Sequence, residues 1–416
     1  MSLASLLEVF RPGRTIYLPG ATGEITALAD ALAAEPDRMR DVTIVSCLLP
    51  GMNQFDYPGL HDDARLTTFL FPTASRQSFS LGRVQVMPLS YLAAANYLAG
   101  DAGLDVAVAH VAPPLSGEGR KASVGICADF TEIAWNAANL RIAFVNPLMP
   151  AMSRGPRIDL DTANLVHEGE SPLIEVPLVA ADSTGQAIAS HVAELIPDGA
   201  ALQIGIGSAP AALWRALASR RYLRLRSGLA SEDLLYLADK GALASDNHVA
   251  GILAGTRRFY DAMAQRDLVR LCDTRETHDF CAIGKEANFF SANSAMAVDL
   301  FGQVNLEWQG SRALSGVGGA PDFAAAALAS PGGCGITMLP ATARKGTISR
   351  IVAHLDGLTV SLPRNLADVV ATEHGVAHLS GKSIDQRAQA LVQIADPAYR
   401  EALAREWRQV RARMSG

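Results

Sequence analysis

The chain has 416 residues, 49% hydrophobic and 19% charged, the composition of a compact globular protein and not of a solvated, disordered one. At roughly 150 residues per domain this length predicts two to three domains. Lys and Arg total 36 against 42 Asp and Glu, a net charge of −6, which offers no basic surface to a phosphate backbone and excludes nucleic acid as an expected partner.

Met1 to Gly13 holds Glu8 and Arg11 around an apolar run too brief and too interrupted for a signal peptide. Every later apolar run is broken by charge, Pro or Gly before the roughly 20 residues a bilayer span needs, so a cytoplasmic protein with no membrane partner is expected. Strands are predicted at Thr15 to Leu18, Val42 to Cys47, Val106 to Val111, Ile142 to Asn146, Leu202 to Ile206, Leu223 to Leu225, Ile336 to Leu339 and Leu358 to Ser361. Between them fall helical stretches at Ile25 to Ala34, Leu89 to Ala99, Ala128 to Ala138, Gln186 to Leu195, Ala209 to Ala218, Glu232 to Lys240, Asp322 to Ala329 and Asp385 to Ile394. Aliphatic strands alternating with helices predict an α/β fold with parallel sheets.

From Pro147 to Val179 five prolines interrupt the pattern, which places a domain junction there and divides the chain into 1–180 and 181–416. On each side a strand runs into a Gly-containing turn and then a helix: Pro19-Gly20-Ala21-Thr22-Gly23 in the first half, Gly205-Ile206-Gly207-Ser208 in the second. The halves therefore read as two related α/β units. Cys47, Cys127, Cys272, Cys281 and Cys334 lack CxxC spacing and read as small buried hydrophobes in a reducing compartment.

Gly205 to Pro210 follows an apolar strand and opens a helix, so its amides are placed to receive an anion or oxyanion. A dinucleotide-binding turn is one reading, with Arg224 and Arg226 accommodating a 2′-phosphate as in an NADP-dependent oxidoreductase, although Pro210 replaces the usual third glycine. A denser signal is Ser315-Gly316-Val317-Gly318-Gly319-Ala320-Pro321-Asp322, whose glycines let backbone approach a ligand ahead of a helix start. Asn293, Gln303 and Asn305 lie on the amide-bearing stretch that precedes it.

Together with Ala112-Pro113-Pro114, Val145 to Pro150, Lys345 to Val352, Thr372 to Ala377 and Gly381-Lys382-Ser383, these motifs occur in an order that resembles the acetyl-CoA hydrolase/transferase family. These are class I coenzyme A transferases, among them 4-hydroxybutyrate and itaconate CoA-transferases. The resemblance implies two NagB/RpiA/CoA-transferase-like domains, an active site in the cleft between them, a homodimer, and an acyl-CoA and a carboxylic acid as partners. It implies no permanently bound cofactor, the coenzyme A thioester being substrate; the histidines are spread over separate segments, and Gly375 between His374 and His378 with no third ligand predicts no metal. Members of the family attack the thioester with a glutamate and pass through a glutamyl-CoA thioester. Here that position is Gly228, in Arg226-Ser227-Gly228-Leu229, and the nearest carboxylate is Glu232, about 6 Å further if the segment is helical.

Glu232, preceded by Ser231 as a predicted N-cap, is thus either a displaced catalytic carboxylate or a helix-dipole partner. Glu24 carries the same two readings in the first half. By motif position, the oxyanion donors are the amides of Ile206 and of Gly318 or Gly319. The expected substrate and CoA contacts are Gly205, Gly207, Met52, Asn53, Arg76, Asn293, Gln303, Asn305, Gly316, Lys345, Glu373 and His374. Arg76 pairs either a dicarboxylate substrate or the neighbouring Asp62 or Asp63. Direct or Glu232-assisted transfer, hydrolysis, and acyl-CoA binding without turnover remain as alternative activities.

Overall fold

The computed structural model describes residues 3–178 and 180–414; Met1, Ser2, Ser415, Gly416 and Val179, the far end of the predicted junction, lie outside the described residues. Short apolar strands, buried on both faces, build two parallel sheets. The first runs β1 (Thr15–Tyr17), β2 (Thr43–Val45), β3 (Arg65–Thr68), β4 (Val84–Val86), β5 (Val106–Val111), β6 (Leu140–Val145) and β7 (Leu165–Glu168). The second runs β8 (Ala201–Ile204), β9 (Arg224–Leu225), β10 (Phe289–Ser294), β11 (Cys334–Met338), β12 (Val369–Thr372) and β13 (Gly375–His378). The spatial orders are β4-β3-β2-β1-β5-β6-β7 and β9-β8-β10-β11-β12-β13, and the pairing of β12 with β13 alone is antiparallel. In each sheet the strand order turns back on itself, between β1 and β5 and between β8 and β10, and ligands of such folds bind outside the carboxyl ends of the strands at that reversal.

The α/β architecture and the eight predicted helices are present. One predicted strand is not: Leu358 to Ser361 is irregular, and the sheet takes Val369–Thr372 instead. Its flanks explain this, since Gly357 has a left-handed φ of +69° and Pro363 closes the segment, leaving only loop-like bonds such as Ser361 N–H to the Val304 carbonyl. The segment after Pro147 is irregular but still supplies β7 to the edge of the first sheet. Cys47, Cys127 and Cys272 are buried as expected; Cys334 is half-buried and Cys281 exposed, because Cys281 lies on the solvent side of the short helix Phe280–Ile283.

The sheets are not independent. One core cluster contains Val111 and Val145 of the first sheet together with Leu202, Ile204 and Ile336 of the second. The seam is also tied by polar bonds: Asp322, in the helix Ala320–Ala329, accepts from Ser90 Oγ (2.8 Å) and the Leu92 amide (3.1 Å) at the start of the helix Tyr91–Gly100. A carboxylate from one half thereby caps a helix of the other, where the macrodipole favours negative charge. Burial raises the Asp322 pKa and opposes that preference.

Candidate active site

The site lies at the strand-order reversal of the second sheet. A cavity of about 380 Å³ opens beyond β8 and β10, lined by Gly205 and Ile206 after β8, by Asn293 and Ser294 at the end of β10, and by the whole loop Ser315 to Gly319. Leu49, Pro50, Leu70 and Tyr91 of the first half close its other wall. The two glycine turns thus share one cavity between the halves, as the motif order implies.

Backbone geometry makes these turns donors. Gly207 has φ +125° and Gly318 φ +58°, conformations that L side chains rarely adopt. The amides of Ile206, Gly207, Val317 and Gly318 have no hydrogen-bond acceptor among the described residues. The second loop is pressed against the first domain: a Cβ at Gly316 would stand 2.6 Å from the Phe69 carbonyl oxygen, and the Gly318 carbonyl accepts from the Tyr91 amide at 3.2 Å. Beneath the first turn, Gln203, Ser291 and Asn293 satisfy one another. Asn293 Nδ2 donates to Gln203 Oε1 (2.8 Å), Gln203 Nε2 donates back to Asn293 Oδ1 (3.0 Å), and Ser291 Oγ donates to Gln203 Oε1 (2.7 Å). Because these side chains are engaged with one another, the turn amides above them stay free.

Gly228 lines the cavity, and what stands beside it is His278. A Cβ at Gly228 would lie 2.7 Å from His278 Cε1, and one at Gly319 would lie 2.3 Å from Nε2. The imidazole is stacked on Tyr91, 4.9 Å between centroids, and tilted against Phe323 at 4.6 Å. Burial holds it neutral, with its pKa lowered to about 3, and raises that of the Tyr91 phenol, whose oxygen lies 3.2 Å from Cys47 Sγ. Sequence reasoning passed over His278, which carries no motif and is remote from Gly228 along the chain. Among the described residues, no Asp, Glu, Lys or Arg lines the cavity.

Other predicted residues lie elsewhere. Glu232 borders a separate groove of about 750 Å³ with Arg215, Asp233 and Arg257, and its Oε2 accepts from the Thr256 amide (3.1 Å) and hydroxyl (2.9 Å). Ser231 does not cap the following helix: it ends the strand Leu229–Ser231, paired with Ile252–Ala254, and its buried Oγ has no partner among the described residues. Asn53 is spent on the first-domain turn, bonding the Ala21 backbone and Glu24, and Met52, half-buried, packs against the core beside it. Glu24 is buried, held by Asn53 and Tyr57, with its pKa raised by that burial.

Gln303 bonds Asp299, and Asn305 orders its own loop through Glu307 and Trp308. Lys345 is exposed at a hairpin tip with φ +57°. Glu373 accepts from the Ala341 amide, with His374 beside it and facing Asp396. Arg76 pairs with neither Asp62 nor Asp63; its Nη2 donates to the Ala313 carbonyl at 2.8 Å, and Asp62 takes Arg83. Arg224 and Arg226 both pair with Glu286, which removes the two cations that a 2′-phosphate reading requires. No cluster of metal-ligating side chains occurs among the described residues.

A reversal-point cavity between two α/β domains, with free amides from two glycine turns, has the donors that the oxyanion of acyl transfer requires. Residues 255–407 match the acetyl-CoA hydrolase/transferase C-terminal domain. The chain is 33% identical over 397 residues to a 4-hydroxybutyrate coenzyme A transferase of Clostridium kluyveri, covering 93% of this chain and 92% of that one. It is 29% identical over 406 residues to a succinyl-CoA:cyclohexane-1-carboxylate CoA transferase of Geobacter metallireducens, covering 95% and 92%. Among solved structures, a 4-hydroxybutyrate CoA-transferase of Porphyromonas gingivalis superposes with TM-score 0.80 at 26% identity, covering 98% of this chain and 96% of that one. The chain belongs to the acetyl-CoA hydrolase/transferase family.

Proposed function

We propose that this protein transfers coenzyme A from an acyl-CoA to a carboxylic acid by direct attack of the acceptor, with no covalent enzyme intermediate. One observation carries the reading: among the described residues, amides without acceptors from two glycine turns border a cavity that no carboxylate lines. The acceptor carboxylate oxygen attacks the thioester carbon, and the C–S bond breaks to give a mixed anhydride and the CoA thiolate. The thiolate then attacks the acceptor's acyl carbon, the C–O bond breaks, and the donor acid leaves as carboxylate. No proton is gained or lost overall. The amides of Ile206 and Gly318 stabilise the oxyanion formed at each attack, and holding all partners in one cavity supplies the entropic advantage.

Glu232 takes no part in this scheme, since its carboxylate is engaged by Thr256 beside a different groove. The neutral lining favours uncharged acyl groups over dicarboxylic ones. A dimer, the arrangement implied for the family, is compatible with this reading and not required by it.

The test uses purified protein with acetyl-, butyryl- and hexanoyl-CoA, with and without acetate or propionate. Transfer needs both partners, free CoA release without the acid is slow, and the intact protein mass after incubation with acyl-CoA alone is unchanged. Fast release of CoA without an acceptor would make the protein a hydrolase. A mass increase matching CoA would restore a covalent route. Glu232→Gln is expected to retain kcat/KM within about threefold, the scale of a surface substitution.

A further inference from the structure

Next to the 380 Å³ cavity lies a second void of about 10 Å³, roughly the room one water molecule needs. The two share three lining residues, Asn293, Leu306 and Ala320. Behind them the void is walled chiefly by the apolar Ala324, Ile336, Leu362 and Leu366, none of which lines the cavity. Of the three shared residues two cannot yield. Asn293 is held by Gln203 and Ser291 through three hydrogen bonds of 2.8 to 3.0 Å, and Ala320 offers only a methyl group at the start of its helix. Leu306 has a fixed backbone, its amide donating to Ser361 Oγ at 2.9 Å, but a side chain with rotamers to choose from. That side chain is half-buried against the core of the second half. Its place is set by both glycine turns: Asn293 lies beneath the first, and Ala320 follows Gly319 of the second.

We propose that Leu306 is a specificity-determining residue that ends the acyl pocket, its side chain parting the cavity from the void so that short acyl chains are taken and longer ones turned away. The proposal rests on the transfer reading above and narrows its uncharged acyl groups to short ones. An acyl carbonyl held by the Ile206 and Gly318 amides sits between the two turns, and Leu306 stands where the supports of those turns meet. A longer chain would have to displace a leucine packed against a core that does not compress, while the void beyond is too small to receive the displaced side chain. Removing the side chain would join the two spaces and lengthen the pocket along an apolar path.

The experiment measures kcat/KM for transfer to propionate from acetyl-, butyryl-, hexanoyl- and octanoyl-CoA, and Kd for the same donors by calorimetry without an acceptor. The proteins are the wild type, Leu306→Ala, Leu306→Val and Leu366→Ala. One methylene too many in an apolar pocket costs about 10- to 200-fold, so wild-type kcat/KM should fall by at least about tenfold from butyryl- to octanoyl-CoA. Leu306→Ala should raise the octanoyl-to-butyryl ratio by about tenfold or more, and Leu306→Val should raise it less. Leu366→Ala makes the same deletion on the far side of the void without opening it to the cavity, so its ratio should stay within about threefold of the wild type. A wild type that takes octanoyl-CoA as well as butyryl-CoA, or a Leu306→Ala ratio equal to that of Leu366→Ala, overturns the proposal alone. A wild type that transfers from no donor overturns the transfer reading, and the Kd ratios then decide the wall by the same criteria. If Leu306→Ala does not fold, the sign of the change in Leu306→Val decides.

Discussion

The two sheets repeat one plan, strand to glycine turn to helix at the reversal of strand order, yet one reversal is plugged and the other open. After β1, the Ala21 amide donates to Asn53 Oδ1 at 3.1 Å, Asn53 Nδ2 donates to the Ala21 carbonyl at 3.0 Å, and Thr22 Oγ1 donates to the Leu253 carbonyl at 3.0 Å. A Cβ at Gly20 would come within 2.0 Å of the Cys47 carbonyl oxygen. After β8 the corresponding side chains, Gln203 and Asn293, bond each other and leave the turn amides without partners among the described residues. A glycine turn at a strand end is therefore not in itself a site. What decides is whether a neighbouring amide side chain saturates the turn or is itself saturated below it.

Matched substitutions test that difference, and they carry the largest expected effects. Gly319→Ala puts a Cβ 2.3 Å from His278 Nε2 and 3.0 Å from Phe323 Cε2 on the cavity wall, so kcat should drop by at least about tenfold, and because the ring is held between Tyr91 and Phe323 the melting temperature should fall as well. Gly20→Ala meets backbone, which cannot yield, so overpacking of about 1–3 kcal/mol or more should appear as a lower melting temperature. Activity per folded molecule should be preserved in that variant. If Gly20→Ala lost activity at constant stability, the plugged crevice would have a role in the chemistry.

Parts of this contrast can be read from residue order and parts cannot. The glycine turns, eight of the helices and seven of the thirteen strands of the two sheets follow from apolar runs and Gly punctuation, whereas the helices Arg257–Arg266 and Pro397–Met414 were not predicted. The central strand β10 was not predicted, because Phe-Phe-Ser-Ala-Asn-Ser turns polar halfway and its polar half faces the Gln203 network, not the core. Asn53 and Asn293 look alike in sequence, and only the tertiary partner assigns one to the scaffold and the other to the site floor. His278 was illegible for the same reason: its meaning lies in two absent Cβ atoms, at 228 and 319, contributed by distant segments. The cavity's lack of charge likewise belongs to the assembled wall and to no local motif.

A buried acid beside the plugged crevice gives the next effect, on stability and not on rate. Burial raises the Asp129 pKa to about 7, opposed by a hydrogen bond from Thr274 Oγ1 at 3.0 Å. The folded chain thus holds a proton that the unfolded chain releases near pH 4, and the sign follows: this stabilisation is complete below pH 4 and is lost as pH rises toward 7. Each unit of that window corresponds to about 1.4 kcal/mol as an upper scale. Asp129→Asn keeps a hydrogen-bonding side chain without the ionisation, so its melting temperature should fall less between pH 5 and pH 7.5 than that of the wild type. Parallel curves for the two proteins would show that Asp129 ionises freely.

Arg76 sets the smallest effect and tests where the open crevice ends. Its guanidinium lies over Phe71, 4.7 Å from the ring centroid, and ties the first domain to Ala313, whose hairpin partner is Trp308 and whose chain continues into Leu314 and Ser315 on the cavity wall. Arg76→Ala should therefore loosen that wall and raise KM by about two- to fivefold, the cost of a partly exposed hydrogen bond. Because the guanidinium itself is outside the cavity lining, butyryl-CoA and succinyl-CoA should suffer alike. A rise of tenfold or more confined to succinyl-CoA would place the cation in contact with substrate. The open crevice would then extend past Ala313, and the preference for uncharged acyl groups would have to be abandoned.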